Sequence, residues 1–276
     1  MGMETIGAGM LAEDRARAIV ELVRSQGFQA IDTLAGQFGV TPQTIRRDVN
    51  LLCDRGLLRR RHGGVELPPE GENLAYPARQ VLNIEAKRRI ARLVAAEVPE
   101  GASLFFGIGT TPEQCAEALV DHPGLRVMTN NLNVAMALSR NPSCDITIAG
   151  GRLRNLDRDV VAGEAHDFFS RFAVDIGIYG VGGVAEDGTL LDFGLEEVHM
   201  RESLARHCRQ RFLVLDHSKF GRGATVRGGR ITEATAVFTD RPVPDAIAAA
   251  LRDAGVRLVV WSDDTSFAVQ HNGRRG

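Results

Sequence analysis

The sequence predicts an α/β protein in two parts, an N-terminal winged helix-turn-helix followed by a mainly parallel α/β domain. Three observations predict it. A capped helix start at Thr41-Pro42 directly follows a short segment of helical apolar period. The stretch Pro68-Pro69-Glu70-Gly71-Glu72-Asn73 is rich in residues that join neither a helix nor a sheet interior. Beyond Pro99, short β-rich runs alternate with helical runs and nearly every run ends in a Gly- or Asn-rich loop. A chain of 276 residues has room for both parts, with the larger burying its own core. The expected boundaries are a head at 11–67, a linker at 68–82 and an α/β domain at 83–262.

The head is legible helix by helix. Ala12, Ala16, Ile19, Val20 and Val23 put one apolar face on a helix from about Leu11 to Ser25, and Gly27 closes it. Ile31, Leu34, Ala35 and Phe38 repeat at i, i+3, i+4 and i+7 in a second helix. Gly39-Val40 then breaks the period, and Thr41 can cap a third helix with Pro42 at its first position. Two short helices joined by a Gly-containing turn make a helix-turn-helix.

In the third helix Ile45, Val49, Leu52 and Cys53 form the buried stripe, which leaves Gln43, Thr44, Arg46, Arg47 and Asn50 on other faces. Arg matches the guanine edge bidentately, Gln and Asn match adenine, and Thr reaches a phosphate or a thymine methyl. Gly56 ends this helix, and Leu57 to Val65 is predicted as a wing, two short strands around a Gly63-Gly64 turn. From Gln43 to Val65 there are six Arg (46, 47, 55, 59, 60, 61) against two Asp (48, 54), a balance of +4 in a chain of net charge -2. Positive charge is thus concentrated where a DNA backbone would lie. The expected DNA contacts are Thr41, Gln43, Thr44, Arg46, Arg47, Arg60, Arg61 and His62.

After the linker an amphipathic helix runs from Asn83 towards Pro99, with Ile90, Ala91, Leu93 and Val94 inward and Arg88 outward. The strands expected after it are Ser103 to Phe106, Arg126 to Thr129, Ile146 to Ala149, Asp175 to Tyr179, Phe212 to Leu215, Val237 to Thr239 and Val256 to Trp261. The Ala-rich run Ala246 to Leu251 is a helix. Helices between parallel strands place ligands at the carboxyl ends of those strands.

The loop Gly107-Ile108-Gly109-Thr110-Thr111-Pro112-Glu113 carries the strongest small-molecule signal. Its glycines let backbone approach an oxyanion, its threonines offer hydroxyls, and Pro112 opens a helix whose free N–H groups favour phosphate. The same residues also suit a plain strand-to-helix turn with a Thr cap. It is not a dinucleotide fingerprint, because Pro112 stands in place of the third Gly. Gly180-Val181-Gly182-Gly183-Val184-Ala185 fits the relaxed G-x-G-x-x-A pattern, but it leads through Glu186-Asp187-Gly188 into a strand rather than a helix. Gly182 and Gly183 then serve as close-approach positions, as do Gly150 and Gly151, while Asn130 and Asn131 offer amides to hydroxyls. Lys219, in Asp216-His217-Ser218-Lys219-Phe220-Gly221-Arg222, is one of only two lysines, with Lys87. It supplies a flexible cation for a phosphate.

Other chemistries are not supported by the residues. No apolar run reaches the ~18 residues of a spanning helix. The first residues lack a basic and apolar leader, and Ile6 replaces the Ser or Thr of a myristoylation signal, so a cytoplasmic protein is expected. Cys53, Cys115, Cys144 and Cys208 show no metal or CxxC spacing and are expected reduced and buried. The seven His are scattered, and neither a metal nor a cofactor is expected.

Taken together, Pro42-Gln43-Thr44-Ile45-Arg46-Arg47-Asp48, Arg60-Arg61-His62-Gly63-Gly64, Gly109-Thr110-Thr111, Thr129-Asn130-Asn131, Ala149-Gly150-Gly151, Gly163-Glu164-Ala165 and Asp216 to Gly221 resemble the DeoR family of bacterial transcription regulators. The resemblance runs from about residue 11 to 262, in the family's order. It implies a winged helix-turn-helix head on a sensor body related to sugar-phosphate isomerases and CoA transferases. It further implies an oligomer, dimer or tetramer, that represses carbon-catabolism genes and leaves operator DNA when a phosphorylated metabolite binds. Within the family the motifs fit most closely the branch that answers to glycerol 3-phosphate. The effector contacts implied are Gly107, Gly109, Thr110, Thr111, Asn130, Asn131, Gly150, Gly151, Gly182, Gly183 and Lys219. Two departures concern the effector: Gly107 stands where relatives often carry Asp, and His199 where Lys or Arg usually follows Glu197-Val198. A sugar-phosphate isomerase is the competing reading. It needs a carboxylate base such as Glu164, Asp192 or Glu197, and Gly107 removes an acid from the most favourable loop.

Overall fold

The computed structural model describes residues 11–54, 56–67, 74–155, 157–160 and 165–263. The chain divides between Leu82 and Asn83 into two units, each with its own core.

The first unit contains α1 (Ala12–Gln26), β1 (Gln29–Ala30), α2 (Ile31–Phe38), α3 (Pro42–Asp54), β2 (Arg59–Arg61), β3 (Gly64–Glu66) and α4 (Tyr76–Val81). Its punctuation follows the sequence. Gly27, at φ 77°, returns its N–H to the Val23 carbonyl, and Gly39 closes α2 in the left-handed region. Thr41 Oγ1 accepts the Thr44 N–H at 3.2 Å and caps α3. Ile19, Val23, Leu34, Phe38, Ile45 and Leu52 are buried together where the three helices meet.

Two features of the head differ from expectation. The wing register pairs Arg61 with Gly64, so the turn is His62-Gly63 and Gly64 lies in a strand. β3 also pairs on its other side with β1, through Gln29 and Ala30, a strand too short to show a period in the sequence. Gly64 is required by that pairing, because a Cβ there would lie 2.2 Å from the Gln29 carbonyl oxygen and 2.7 Å from the Phe28 ring. Gly64→Ala should therefore lower head stability by about 1–3 kcal/mol. Differential scanning calorimetry would register it as an earlier first transition, and an unchanged trace would mean that the β1–β3 contact is dispensable.

The second difference is α4, which occupies residues expected to be linker. Pro77 stands in its first turn, Tyr76 and Ala78 are buried, and Ala78, Leu74 and Leu82 pack on the head core. Its apolar face is short, and a six-residue helix is hard to see beside a Pro-Gly break. Pro68 to Asn73 itself lies outside the described residues.

The second unit begins with α5 (Ile84–Ala95) and continues through β4 (Ser103–Phe106), α6 (Thr110–Ala118), β5 (Arg126–Thr129), α7 (Leu132–Leu138), β6 (Asp145–Ile148), β7 (Leu153–Arg154), β8 (Asp159–Val160) and α8 (Ala165–Phe168). It is completed by β9 (Val174–Tyr179), β10 (Gly183–Val184), β11 (Thr189–Asp192), α9 (Leu195–Arg206), β12 (Cys208–Val214), β13 (Val226–Arg230), β14 (Ala236–Thr239), α10 (Asp245–Asp253) and β15 (Arg257–Val260). Seven strands form one parallel sheet in the order β15-β14-β12-β9-β4-β5-β6. They are the seven expected strands, with β6 shifted back by one residue, β9 and β14 each starting one residue earlier, β12 running from Cys208 to Val214 instead of from Phe212 to Leu215, and β15 one residue shorter at each end.

Both faces of the sheet's centre are covered, which is why residues 104–106, 212–214 and 236–238 are continuous apolar runs, whereas the edge strand β6 is largely exposed. Leu104, Phe106, Phe212 and Val214 face a core shared with Ile90 and Val94 of α5 and Cys115 of α6. Phe105, Leu213 and Leu215 face the opposite core with Leu204 of α9 and Leu251 of α10. Cys115 and Cys208 are buried, and desolvation pushes the Cys208 thiol up to about 11. Cys53 and Cys144 are only half-buried, contrary to expectation, since Cys53 lies in the last turn of α3 and Cys144 in the loop just before β6.

From β4 the chain builds outward through β5 to β6, then returns to lay β9 against the other side of β4 before building to β15. The topological switch point therefore falls between the carboxyl ends of β4 and β9, at Gly107 and Gly180. A separate antiparallel sheet, β10-β11-β13, and the hairpin β7-β8 flank the main sheet.

Candidate DNA interface and effector site

On α3, Gln43, Arg46, Arg47 and Asn50 are exposed and Thr44 is half-exposed, while Ile45, Val49 and Leu52 face the core. Arg46 and Arg47 form no ion pair among the described residues. The wing is fastened to this helix by Arg60, whose guanidinium donates to Asn50 Oδ1 at 2.6 Å. Arg59 and Arg61 lie on the other side of the hairpin and both pair with Glu66, at 2.6 and 2.7 Å. Their hydrogen bonds hold the Glu66 carboxyl below its usual range. His62 is exposed at the turn, Thr41 is exposed with its hydroxyl engaged as the cap, and Arg55 lies outside the described residues.

Asp48 has a role that the charge count missed. It is buried on the core side of α3 and accepts from Arg15 Nε of α1 at 2.6 Å, tying the first helix to the recognition helix. Its position three residues after Ile45 was the available signal, since that spacing returns a side chain to the buried stripe.

The expected effector residues lie along the carboxyl edge of the parallel sheet. Gly107 follows β4, Asn130 and Asn131 follow β5, Gly150 and Gly151 follow β6, and Lys219 lies in a turn after β12. Gly109, at φ 114°, precedes α6, which has no side-chain cap. Pro112 has no N–H, so the first turn presents the Thr110 and Thr111 amides, whose side chains are buried. Asn131 is more structural than a free amide would be. Its Oδ1 accepts the Asn133 and Val134 N–H groups to cap α7, and its Nδ2 donates to the Gly107 carbonyl at 3.4 Å.

Gly182 and Gly183 lie against Phe193 and Arg222. A Cβ on Gly183 would come within 2.1 Å of the Arg222 carbonyl oxygen, so the close approach there is to the protein's own backbone. Arg222 donates to the Gly182 carbonyl at 3.2 Å and stacks 5.0 Å over the Phe193 ring. Gly150 and Gly151 are exposed, and no heavy atom stands within 4 Å of a Cβ on Gly150.

At the switch point, Gly107, Ile108, Asn130, Tyr179 and Gly180 line a small cavity together with Asp192 of β11 and Glu197, Met200 and Arg201 of α9. Arg201 Nε and Nη2 bond Asp192 Oδ2 at 3.1 and 3.0 Å, and Nη2 also reaches the Gly228 carbonyl at 2.7 Å. Burial lifts the Asp192 carboxyl above its usual range, against the pull of Arg201 and the Gly182 N–H. Arg154 of β7 binds Asp159 through two nitrogens and Glu197 at 2.7 Å. Burial alone would lower the Arg154 guanidinium, but its carboxylate partners raise it further.

Sequence reasoning had named Asp192 and Glu197 only as possible bases and missed Arg154, Asp159 and Arg201. Both carboxylates are committed to guanidinium groups. Glu164 lies outside the described residues. His199 is exposed, whereas Glu197, Met200 and Arg201 of the same helix turn into the cavity. Among the described residues no helix is long and apolar enough to cross a membrane, and no group of His, Cys, Asp and Glu has metal-binding geometry.

Two family models match the chain, the DeoR-like helix-turn-helix domain over residues 15–70 and the DeoR C terminal sensor domain over residues 82–241. The chain is 43% identical over 249 residues to the glycerol-3-phosphate regulon repressor of Escherichia coli, covering 90% of this chain and 99% of that one. It is 42% identical over 246 residues to the repressor of the same description from Haemophilus influenzae, covering 89% and 96% of the two chains. Among solved structures, ribose 5 phosphate isomerase A from Neisseria gonorrhoeae aligns at 18% identity with a TM-score of 0.35, over 49% of this chain and 52% of that one.

Proposed function

From the premise that this chain belongs to the DeoR family and is a DNA-binding transcriptional repressor, not an enzyme, we propose that glycerol 3-phosphate is the effector that releases it from its operator. The relatives at 43% and 42% identity carry that metabolite in their names. The observation that carries the reading is the carboxyl edge of the sheet, where the uncapped start of α6 after β4 and Lys219 after β12 lie on strand-end loops on either side of β9. Amides at a helix start and a lysine suit a phosphate monoester. Gly107, Gly109, Thr110, Thr111, Asn130 and Asn131 surround it, with Gly150, Gly151, Gly182 and Gly183 on the adjoining loops. The protein acts in the cytoplasm on the genes of glycerol 3-phosphate use.

In the head, Gln43, Thr44, Arg46 and Arg47 contact bases, whereas Thr41, Arg60, Arg61 and His62 contact backbone. A homo-oligomer presents two such heads to half-sites about 34–36 Å apart or a multiple of that. The effector must favour the released state by ~1–3 kcal/mol per coupled site to shift it usefully.

Fluorescence anisotropy on DNA from the protein's own gene neighbourhood, at fixed salt and titrated with glycerol 3-phosphate, tests the reading. Release by that ligand supports it; release only by another phosphosugar moves the regulon assignment elsewhere. Arg47→Ala should cost about 1–3 kcal/mol of operator affinity while leaving ligand binding in calorimetry unchanged. A large loss of ligand binding would contradict the division of labour. Arg60→Ala should weaken binding on all sequences and reduce the slope of log affinity against log salt by roughly 0.9. An unchanged slope would assign Arg60 to Asn50 alone.

A further inference from the structure

The switch-point cavity is unlike a phosphate site. Its volume is about 20 Å³, enough for one water or one hydroxyl group. Its charged side chains are two carboxylates, Asp192 and Glu197, and one guanidinium, Arg201. That guanidinium is already shared between Asp192 and the Gly228 carbonyl. Asn130 adds another acceptor. Its Nδ2 donates to the Val160 carbonyl at 2.8 Å, which fixes the orientation of the amide. Its Oδ1 is then left buried without a partner, on a residue only 1% exposed. A buried acceptor without a donor costs free energy until something supplies one.

We propose that this cavity is the hydroxyl end of the effector site, taking the neutral, hydrogen-donating terminus of a phosphorylated polyol. Ligands that are anionic at both ends are rejected by the same carboxylates. This rests on the phosphate reading of the α6 start, which the cavity adjoins through Gly107 and Ile108. Three positions separate Gly107 from the first residue of α6, so a short carbon chain can place a phosphate at one and a hydroxyl at the other. Asn130 is then a specificity residue, with its Oδ1 accepting the ligand hydroxyl.

Isothermal titration calorimetry of the full-length protein compares sn-glycerol 3-phosphate with n-propyl phosphate, which lacks the hydroxyls, and 3-phosphoglycerate, which carries a carboxylate at the far end. The two analogues should bind roughly ten- to a hundredfold more weakly. Equal affinity for either analogue overturns the proposal and leaves the phosphate effector reading intact. If glycerol 3-phosphate gives no heat, ribose 5-phosphate against 5-phosphoribonate makes the same comparison, and the same preference for the hydroxyl end supports the inference. If every phosphate ester is silent, the phosphate reading falls and this proposal falls with it. Asn130→Ala should narrow the gap between glycerol 3-phosphate and n-propyl phosphate, and an unchanged gap in the folded variant removes Asn130 from the site. Should that variant not fold, the ligand series on the unaltered protein decides.

Discussion

Arg201→Met should destabilise the C-terminal domain by about 3–5 kcal/mol, because it leaves Asp192 buried without its cation. The two side chains are 7% and 8% exposed, so water cannot take over the lost contacts. For a domain of this size the loss corresponds to a fall of roughly 10 °C or more in its melting transition. The pH dependence has a definite sign. The Asp192 carboxyl is already raised by burial, and without Arg201 it rises further. The folded variant then binds more protons than the unfolded chain, so its stability recovers as pH falls through that raised value. Thermal denaturation at neutral and mildly acidic pH measures both effects. Replacing Asp192 by Leu in the same variant should recover much of the loss, since a buried pair is worth little more than apolar packing of similar volume. A single variant as stable as the parent would show that Asp192 is neutral or solvated in the folded state.

The centre of the main sheet was legible because β4, β9, β12 and β14 bury apolar residues on both faces, and a Gly, Asn or Asp stands directly after β4, β5, β9 and β14. Leu104-Phe105-Phe106 and Phe212-Leu213-Val214-Leu215 have no polar alternation, which is itself the mark of a covered parallel strand. The short antiparallel strands were not legible for the opposite reason. β13 is Val-Arg-Gly-Gly-Arg, whose pairing with β11 is set by Arg201 holding the Gly228 carbonyl and by Val198, 2.2 Å from where a Gly228 Cβ would stand. Neither contact has a local sequence signature. The same holds in the site. Glycines and amides announced themselves by type, but the pairing of Arg154 with Asp159 and Glu197, or of Arg201 with Asp192, depends on which loops the sheet order brings together. Glu66 shows how a count can mislead by one residue: it lies just past the Arg-rich window and engages two of its arginines.

Lys219→Ala should raise the ligand concentration needed for DNA release by roughly ten- to a hundredfold, the worth of a charge-assisted hydrogen bond to phosphate. Operator affinity without ligand should stay as it was. Lys219 also has a structural charge to serve. The chain's two lysines, Lys87 and Lys219, both act on Asp216. Burial would push the Asp216 carboxyl up, but the Lys219 charge, the Ser218 hydrogen bonds and the Lys87 charge together hold it below the usual range. Asn83 Nδ2 donates to the same carboxylate at 2.9 Å and to Ser218 Oγ at 3.0 Å. A carboxyl lowered in the folded state contributes stability above its unfolded value of about 3.9 and loses it as pH falls through the folded value. Removing Lys219 weakens that contribution, so the variant should also lose stability at neutral pH and show a shallower decline in acid. The two readouts separate the two roles. If release occurs at unchanged ligand concentration while the acid limb flattens, Lys219 serves Asp216 and makes no phosphate contact. If release is blunted, Lys219→Arg should restore the acid limb more fully than the response to ligand, because a planar guanidinium replaces the charge but not the compact ammonium.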